Sequence, residues 1–262
     1  MAGSGQSTVR LEREGRLATI WLSCPGGAHT IGEEFPEQLG GALEELGDDH
    51  EVRAALLCGD SKVFCAGADL NLVERLREPA FGRQWLETQH AALLKLTQLR
   101  MPVFAAVDRA AFGAGFNLAL ACDFIVASVR ASFCQAFVKV GLATDMGSPY
   151  LLPRRVGLQR ARELMYTGRT LDAAEAHEIG VVDELVESDA RHRASDLAEA
   201  LAEGPPLALE AMKTALARAF APSLQQVLDD ELELQIPVLR SEDFGEGATA
   251  FKEKRRPTFR GG

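Results

Sequence analysis

Apolar and polar positions alternate between two textures along this chain, short strand-like runs and longer helix-like ones. "VRLEREGRLATIWLSCP" (9–25) alternates and then turns apolar on either side of "REG", which predicts a hairpin. "GEEFPEQLGGALEELGDD" (32–49) spaces its apolar residues as a surface helix does, and "VRAALLCG" (52–59) reads as a short buried strand. A loop, "DSKVFCAGADL", leads to a helix through "RQWLETQHAALLKLTQL" that stops before Pro102. Next come a strand "PVFAAV", a glycine-broken turn into a buried helix in "RAAFGAGFNLALACD", and a strand "FIVAS".

Beyond residue 145 the texture changes. Helical patterns at about 157–166 and 171–178 precede a strand in "GVVDELV". Helical stretches follow in "RASDLAEALAEG", "PLALEAMKTALARAF" and "SLQQVLDDELELQIPVL", and a basic tail ends the chain. Gly204-Pro205-Pro206 punctuates the series. These patterns predict an α/β core over residues 1–200 and a helical region over 201–262.

Composition narrows the class. With 262 residues, 47% hydrophobic and 25% charged, the chain is long enough for a substantial globular core. A net charge of −10 argues against nucleic acid as the main partner, although a local basic patch still suits a small anion. The five cysteines form no CxxC pair and read as reduced, mostly buried thiols. The N-terminal "MAGSGQSTVR" has no apolar signal core and no apolar run reaches membrane-spanning length, so a cytoplasmic location without membrane contact is expected. The histidines show no metal-ligand spacing, and no metal is expected.

Candidate chemistry sits in two turns rich in small residues. The first is Cys65-Ala66-Gly67-Ala68 and the second Gly113-Ala114-Gly115, each at a strand-to-helix junction. Absent side chains let backbone N–H groups approach a ligand oxygen; for either stretch alone, tight turning and close packing are the better explanation. Asp145, in "VGLATDMGSPYLLPRRVG", is a carboxylate in apolar company and costly to bury unless paired or used. Read from the residues alone, it is a catalytic acid/base or the N-cap of a helix starting near Gly147.

"KVFCAGADL", "AFGAGFNLALACD", "VGLATDMGSPYLLPRRVG" and "EDFGEGATAFKEKRRPTF" together resemble the enoyl-CoA hydratase/isomerase (crotonase) superfamily, in order and spacing, from about residue 8 to 260. The resemblance implies a ClpP-like spiral of ββα repeats with a helical C-terminal trimerisation region, and a homotrimer or hexamer. It implies a substrate carried as a coenzyme A thioester, with no bound cofactor. The backbone amides of Ala68 and Ala114 would hold the thioester oxygen, with Ala66, Gly67 and Gly113 shaping the two turns. In similar hydratases two glutamates flank the substrate; the matching positions here are Asn117 and Phe137, neither of which exchanges a proton at neutral pH.

An acid at the Asp145 position occurs in similar members that shift double bonds, and ring-1,2-epoxyphenylacetyl-CoA isomerases of phenylacetate breakdown look closest in motif. Double-bond isomerisation with Asp145 as proton shuttle is therefore expected. Phe137, Val138, Leu142 and Met146 would supply the dry surroundings that raise its pKa. Hydration by Asp145 alone, hydrolysis of the 4-chlorobenzoyl-CoA dehalogenase kind, and a non-catalytic CoA- or RNA-binding relative are the alternatives. The dehalogenase has a helper histidine resembling His90, which on pattern alone is a partly buried helix residue, but pairs its aspartate with a tryptophan donor where Phe137 stands. Asn117 reads either as a substrate or water contact or as a packing amide. The "SCPGGAHTIGEEF" stretch departs from the family's usual adenine-side loop. Phe251 and Lys254, in a tail that otherwise reads as a solvated terminus, match residues that reach the CoA of a neighbouring subunit.

Overall fold

The computed structural model describes residues 6–25, 27–60, 63–220 and 223–261. Lys62, at the head of the first small-residue motif, Gly26, and the first five residues of the N-terminal stretch lie outside them. Among the described residues, nine strands form two sheets: β1 (Thr8–Glu14), β2 (Leu17–Ser23), β3 (Ala54–Gly59), β4 (Val103–Val107), β5 (Ala110–Phe112), β6 (Phe124–Ser128), β7 (Ser132–Cys134), β8 (Thr170–Asp172) and β9 (Glu184–Val186). The helices are α1 (Phe35–Asp48), α2 (Val73–Leu76), α3 (Pro79–Gln98), α4 (Ala114–Leu120), α5 (Ser148–Val156), α6 (Leu158–Thr167), α7 (Ala173–Glu178), α8 (Ala190–Ala202), α9 (Pro206–Ala217), α10 (Leu224–Leu239) and α11 (Glu242–Glu253).

The main sheet runs β1-β2-β3-β4-β6-β9; only the β1–β2 hairpin is antiparallel, and every later pair is parallel. Parallel neighbours need crossovers, which here contain helices or, between β4 and β6, the short strand β5 followed by α4. A second sheet, β5-β7-β8, stands beyond the ends of β4 and β6 and begins at the turn leading to Ala114. This is the repeated strand-and-helix spiral expected from the sequence.

Alternation along the central strands explains how the sheet is covered. Ala55 and Leu57 of β3, with Val103, Ala105 and Val107 of β4, join the large core that also takes the apolar stripes of α1 and α3. Ala54, Leu56 and Cys58, with Phe104 and Ala106, face the opposite side and meet α8. There α8 presents Ala190, Ala194, Ala198 and Ala202, one per turn, all buried. A stripe of alanines lets the helix axis come close to the sheet; Asp189 caps it, and Asp108 accepts from the Ala190 N–H at 3.0 Å.

The five cysteines are buried, as read from their spacing. Three features differ from that reading. The three-residue strands β5, β7 and β8 were not anticipated, α3 begins four residues earlier than its apolar run, and the tail begins inside a helix, α11. Nor is the tail a free terminus. Asp243 accepts from the Arg260 and Gly261 amides at 2.7 and 2.9 Å, and Arg53 donates to the carbonyls of Phe259 and Arg260.

Candidate active site

The fold brings the two small-residue turns against each other. The Phe112 N–H donates to the Cys65 carbonyl at 2.9 Å, and the Cys65 and Phe64 N–H groups both donate to the Ala110 carbonyl. Gly115 is required at this contact, because a Cβ there would stand 2.4 Å from the Cys65 carbonyl oxygen. Gly67, at φ +93°, is required for a second reason: a Cβ on it would fall 2.9 Å from the Phe112 carbonyl oxygen. That same point lies 3.8 Å from the Ala114 nitrogen, which measures how closely the turns approach.

Hydrogen bonding within the first turn is selective. The Ala66 N–H donates to the His29 carbonyl, the Gly67 carbonyl accepts from Ile31, and the Asp69 N–H donates to Ile31. Ala68, between them, has no backbone acceptor for its N–H among the described residues. Ala114 is the first residue of α4, so its N–H has no acceptor within the helix. The two amides assigned to the thioester oxygen thus lie on adjoining turns, and neither has a backbone acceptor among the described residues. Ala66 is exposed at the rim, while Gly67, Gly113 and Ala114 are buried. Asp69 caps the short 3-10 helix that follows, accepting from the Asn71 N–H.

Asp145 is fixed beside the second turn by its backbone. Asn117, one helical turn past Ala114, donates from Nδ2 to the Asp145 carbonyl at 2.9 Å, and the Ser148 N–H donates to the same oxygen. Asn117 Oδ1 accepts from Gln135 Nε2 at 2.8 Å, Gln135 Oε1 accepts from Thr144, and Thr144 bonds Ser148. With 0% of its surface exposed and both amide ends engaged, Asn117 supports the Asp145 loop, as its packing-amide reading has it. Met146, buried next door, holds a left-handed φ of 47°, a conformation costly for a residue with a Cβ.

The Asp145 carboxyl itself is unpaired: Oδ1 is buried with no hydrogen-bond partner among the described residues. Helix capping is ruled out for it, since Gly147 occupies the N-cap of α5 and no side chain caps that helix. Burial pushes the Asp145 pKa up to about 6, partly offset by the positive charge of His90. No second carboxylate among the described residues contributes to that shift.

The apolar surroundings are fewer than expected. Phe137 and Met146 are buried, whereas Val138 and Leu142 are exposed. The Phe137 ring lies 3.9 Å from where a Cβ on Gly113 would project, so it walls the turn that carries Ala114. His90 is exposed on α3, not partly buried, and reaches Asp145 by charge alone. Phe251 is 86% exposed and Lys254 is also exposed, with neither brought to these turns by its own chain. A cavity of about 510 Å³ beside Asp69 is lined by Glu33, Glu34 and residues of the 24–35 loop.

One buried group was missed on sequence. Gln89, on the inner stripe of α3 with Trp85, Ala92, Leu93 and Leu96, has neither amide atom hydrogen-bonded among the described residues. A glutamine at a core-facing register was a usable signal.

A helix-wrapped spiral sheet with two adjoining amide turns, and a half-buried acid on a loop tied to the helix that starts at the second turn, defines a protein of the crotonase superfamily. The chain belongs to the enoyl-CoA hydratase/isomerase family, whose description it matches over residues 12–262. It is 36% identical over 251 residues to the 1,2-epoxyphenylacetyl-CoA isomerase of Escherichia coli, with 94% of this chain and 95% of that one covered. It is 33% identical over 249 residues to a trans-2-decenoyl-[acyl-carrier-protein] isomerase of Streptococcus mutans, again covering 94% and 95%. Among solved structures, an enoyl-CoA hydratase from Polaromonas sp. JS666 superposes with a TM-score of 0.91 at 33% identity, over 97% of this chain and 100% of that one. Hydratase and isomerase names both occur among these relatives.

Proposed function

We propose that this enzyme shifts the double bond of an acyl-CoA thioester, with Asp145 carrying the proton. The thioester oxygen is held by the Ala68 and Ala114 N–H groups, which stabilise the enolate formed when a C2 proton leaves. Asp145 takes that proton and returns it to C4 on the same face, moving the double bond from the 3,4 to the 2,3 position. A single carboxyl does both steps because it is the base when ionised and the acid once it holds the proton. A pKa near 6 keeps both forms within reach at neutral pH.

The observation that carries this reading is the half-buried Asp145 carboxyl, its Oδ1 without a partner among the described residues, on a loop that Asn117 ties to the helix begun by Ala114, with Asn117 and Phe137 at the two flanking positions. Syn hydration needs one group to activate water and another to protonate carbon. Asn117 is committed to holding the loop, and Phe137 has no proton to exchange. Phe137 likewise offers no N–H for the hydrolytic dehalogenation alternative.

The substrate side rests on family kinship and charge. Glu33, Glu34 and Asp69 make the cavity beside the first turn acidic, so cations for the CoA phosphates must come from elsewhere, and exposed Lys254 and Phe251 suit the CoA of a neighbouring subunit. Self-association through the region after residue 200 is supported by α10, which buries no residue and carries Leu224, Leu228, Leu232 and Ile236 in one exposed stripe. Among the described residues no helix is long and apolar enough to cross a membrane.

Incubation with a 3-enoyl-CoA in heavy water tests the reaction class. The expected product is the 2-enoyl-CoA, with the C2 hydrogen carried to C4 and deuterium entering C4 to the extent that the Asp145 carboxyl exchanges with solvent before it returns the proton. A hydrated product would point to a hydratase, and a substrate recovered without deuterium at any position would mark a non-catalytic relative.

A further inference from the structure

Buried amides in folded proteins are almost always hydrogen-bonded, because an orphaned one forfeits its bonds to water without replacement. Gln89 is 1% exposed, and neither its Nε2 nor its Oε1 has a partner among the described residues. Trp85, one turn earlier on the same face of α3, also buries an unpartnered Nε1. Two polar side chains left orphaned on one helical face call for a common explanation.

Their place in the fold supplies one. Leu93, four residues beyond Gln89 and therefore its neighbour on the helix surface, has its Cδ2 3.0 Å from where a Cβ on Gly147 would project. Gly147 is two residues from Asp145, and His90, next to Gln89, is the residue whose charge reaches the Asp145 carboxyl. The inner face of α3 therefore adjoins the Asp145 loop at Leu93, one turn beyond Gln89. Asp145 is accounted for by the reacting carbons; Gln89 is not.

We propose that Gln89, aided by Trp85, recognises a hydroxyl group on the acyl chain, beyond the carbons that exchange protons. A hydroxyl suits this pair because it donates to Gln89 Oε1 and accepts from an N–H such as the Trp85 indole. A plain hydrocarbon chain would leave all three polar atoms unpaired in the closed complex. The proposal rests on the acyl-thioester reading and assigns Gln89 to selecting the substrate, not to moving protons.

Binding reads this separately from turnover. Saturated octanoyl-CoA and a series of its monohydroxy derivatives, with the hydroxyl moved stepwise along the chain, would be titrated calorimetrically into wild-type enzyme and Gln89→Met. One hydroxyl position should bind wild type at least about tenfold more tightly than octanoyl-CoA, and Gln89→Met should erase that preference while keeping octanoyl-CoA affinity. The variant should melt at or above the wild-type temperature, since an orphaned amide is replaced by an apolar chain of similar volume. Two results overturn the proposal: no hydroxyl position preferred by wild type, or a variant that melts lower and weakens every ligand alike, as expected if Gln89 only holds the core together. Failure of double-bond migration with preserved hydroxyl preference would overturn the isomerase reading and leave this one standing.

Discussion

Asp145 is held by its main chain and left free at its side chain. Asn117 and Ser148 grip its carbonyl, so the carboxyl's position does not depend on any partner of its own. Such an arrangement lowers stability in exchange for reactivity. The folded pKa near 6 lies above the ordinary 3.8, so between about pH 4 and 6 the folded state holds more protons than the unfolded chain, and stability falls as pH rises through that window. His29 acts in the opposite sense. Burial lowers it to about 4 from 6.5, so over much of the same window its contribution rises with pH. A wild-type stability curve blends the two, but comparison with Asp145→Asn separates them. Urea unfolding should find the variant more stable than wild type by about 1–2 kcal/mol at pH 8, with the gain fading towards pH 4. Equal stabilities at pH 8 would mean that the carboxyl carries no burial penalty.

Among the elements, the proposed thioester-oxygen site needs the two turns as a pair, and backbone contact enforces their spacing. Gly115→Ala would drive a methyl group into the Cys65 carbonyl, an atom that cannot swing aside. The expected loss is about 1–3 kcal/mol in unfolding free energy, together with near-complete loss of thioester turnover because the Ala68 and Ala114 amides separate. A variant that melts lower yet keeps wild-type kcat would show that the turns need not touch. These turns were legible in the sequence because small residues cluster there, and Asp145 because a lone acid stands out in apolar company. The strands β3, β4 and β6 and the helices α1 and α3 were legible because their periods repeat several times. Strands β5, β7 and β8 were not: three residues show no period, and what makes them strands is pairing with residues far along the chain. The role of Asn117 was hidden for a similar reason, since the bond from its Nδ2 spans 28 positions.

For the whole molecule, the exposed face of α10 is the largest feature that one chain does not resolve. Leu228 and Leu232 are both exposed at successive turns of a helix that buries nothing in its own subunit. The proposed self-association through α10 predicts that glutamates placed there give monomers, read by light scattering after size-exclusion chromatography, and weaken CoA binding if Lys254 serves a neighbour's site. An unchanged assembly mass would remove α10 from the interface. The account as a whole depends on one carboxyl moving one proton, and the most direct measurement is exchange of C2 hydrogens of an acyl-CoA with heavy water, followed by NMR from pH 5 to 8. Wild-type enzyme should exchange them at a rate that rises through an inflection near pH 6 and then levels, and Asp145→Asn should bind the thioester with similar affinity while exchanging at least a hundredfold more slowly. Exchange at the wild-type rate in Asp145→Asn would contradict the account.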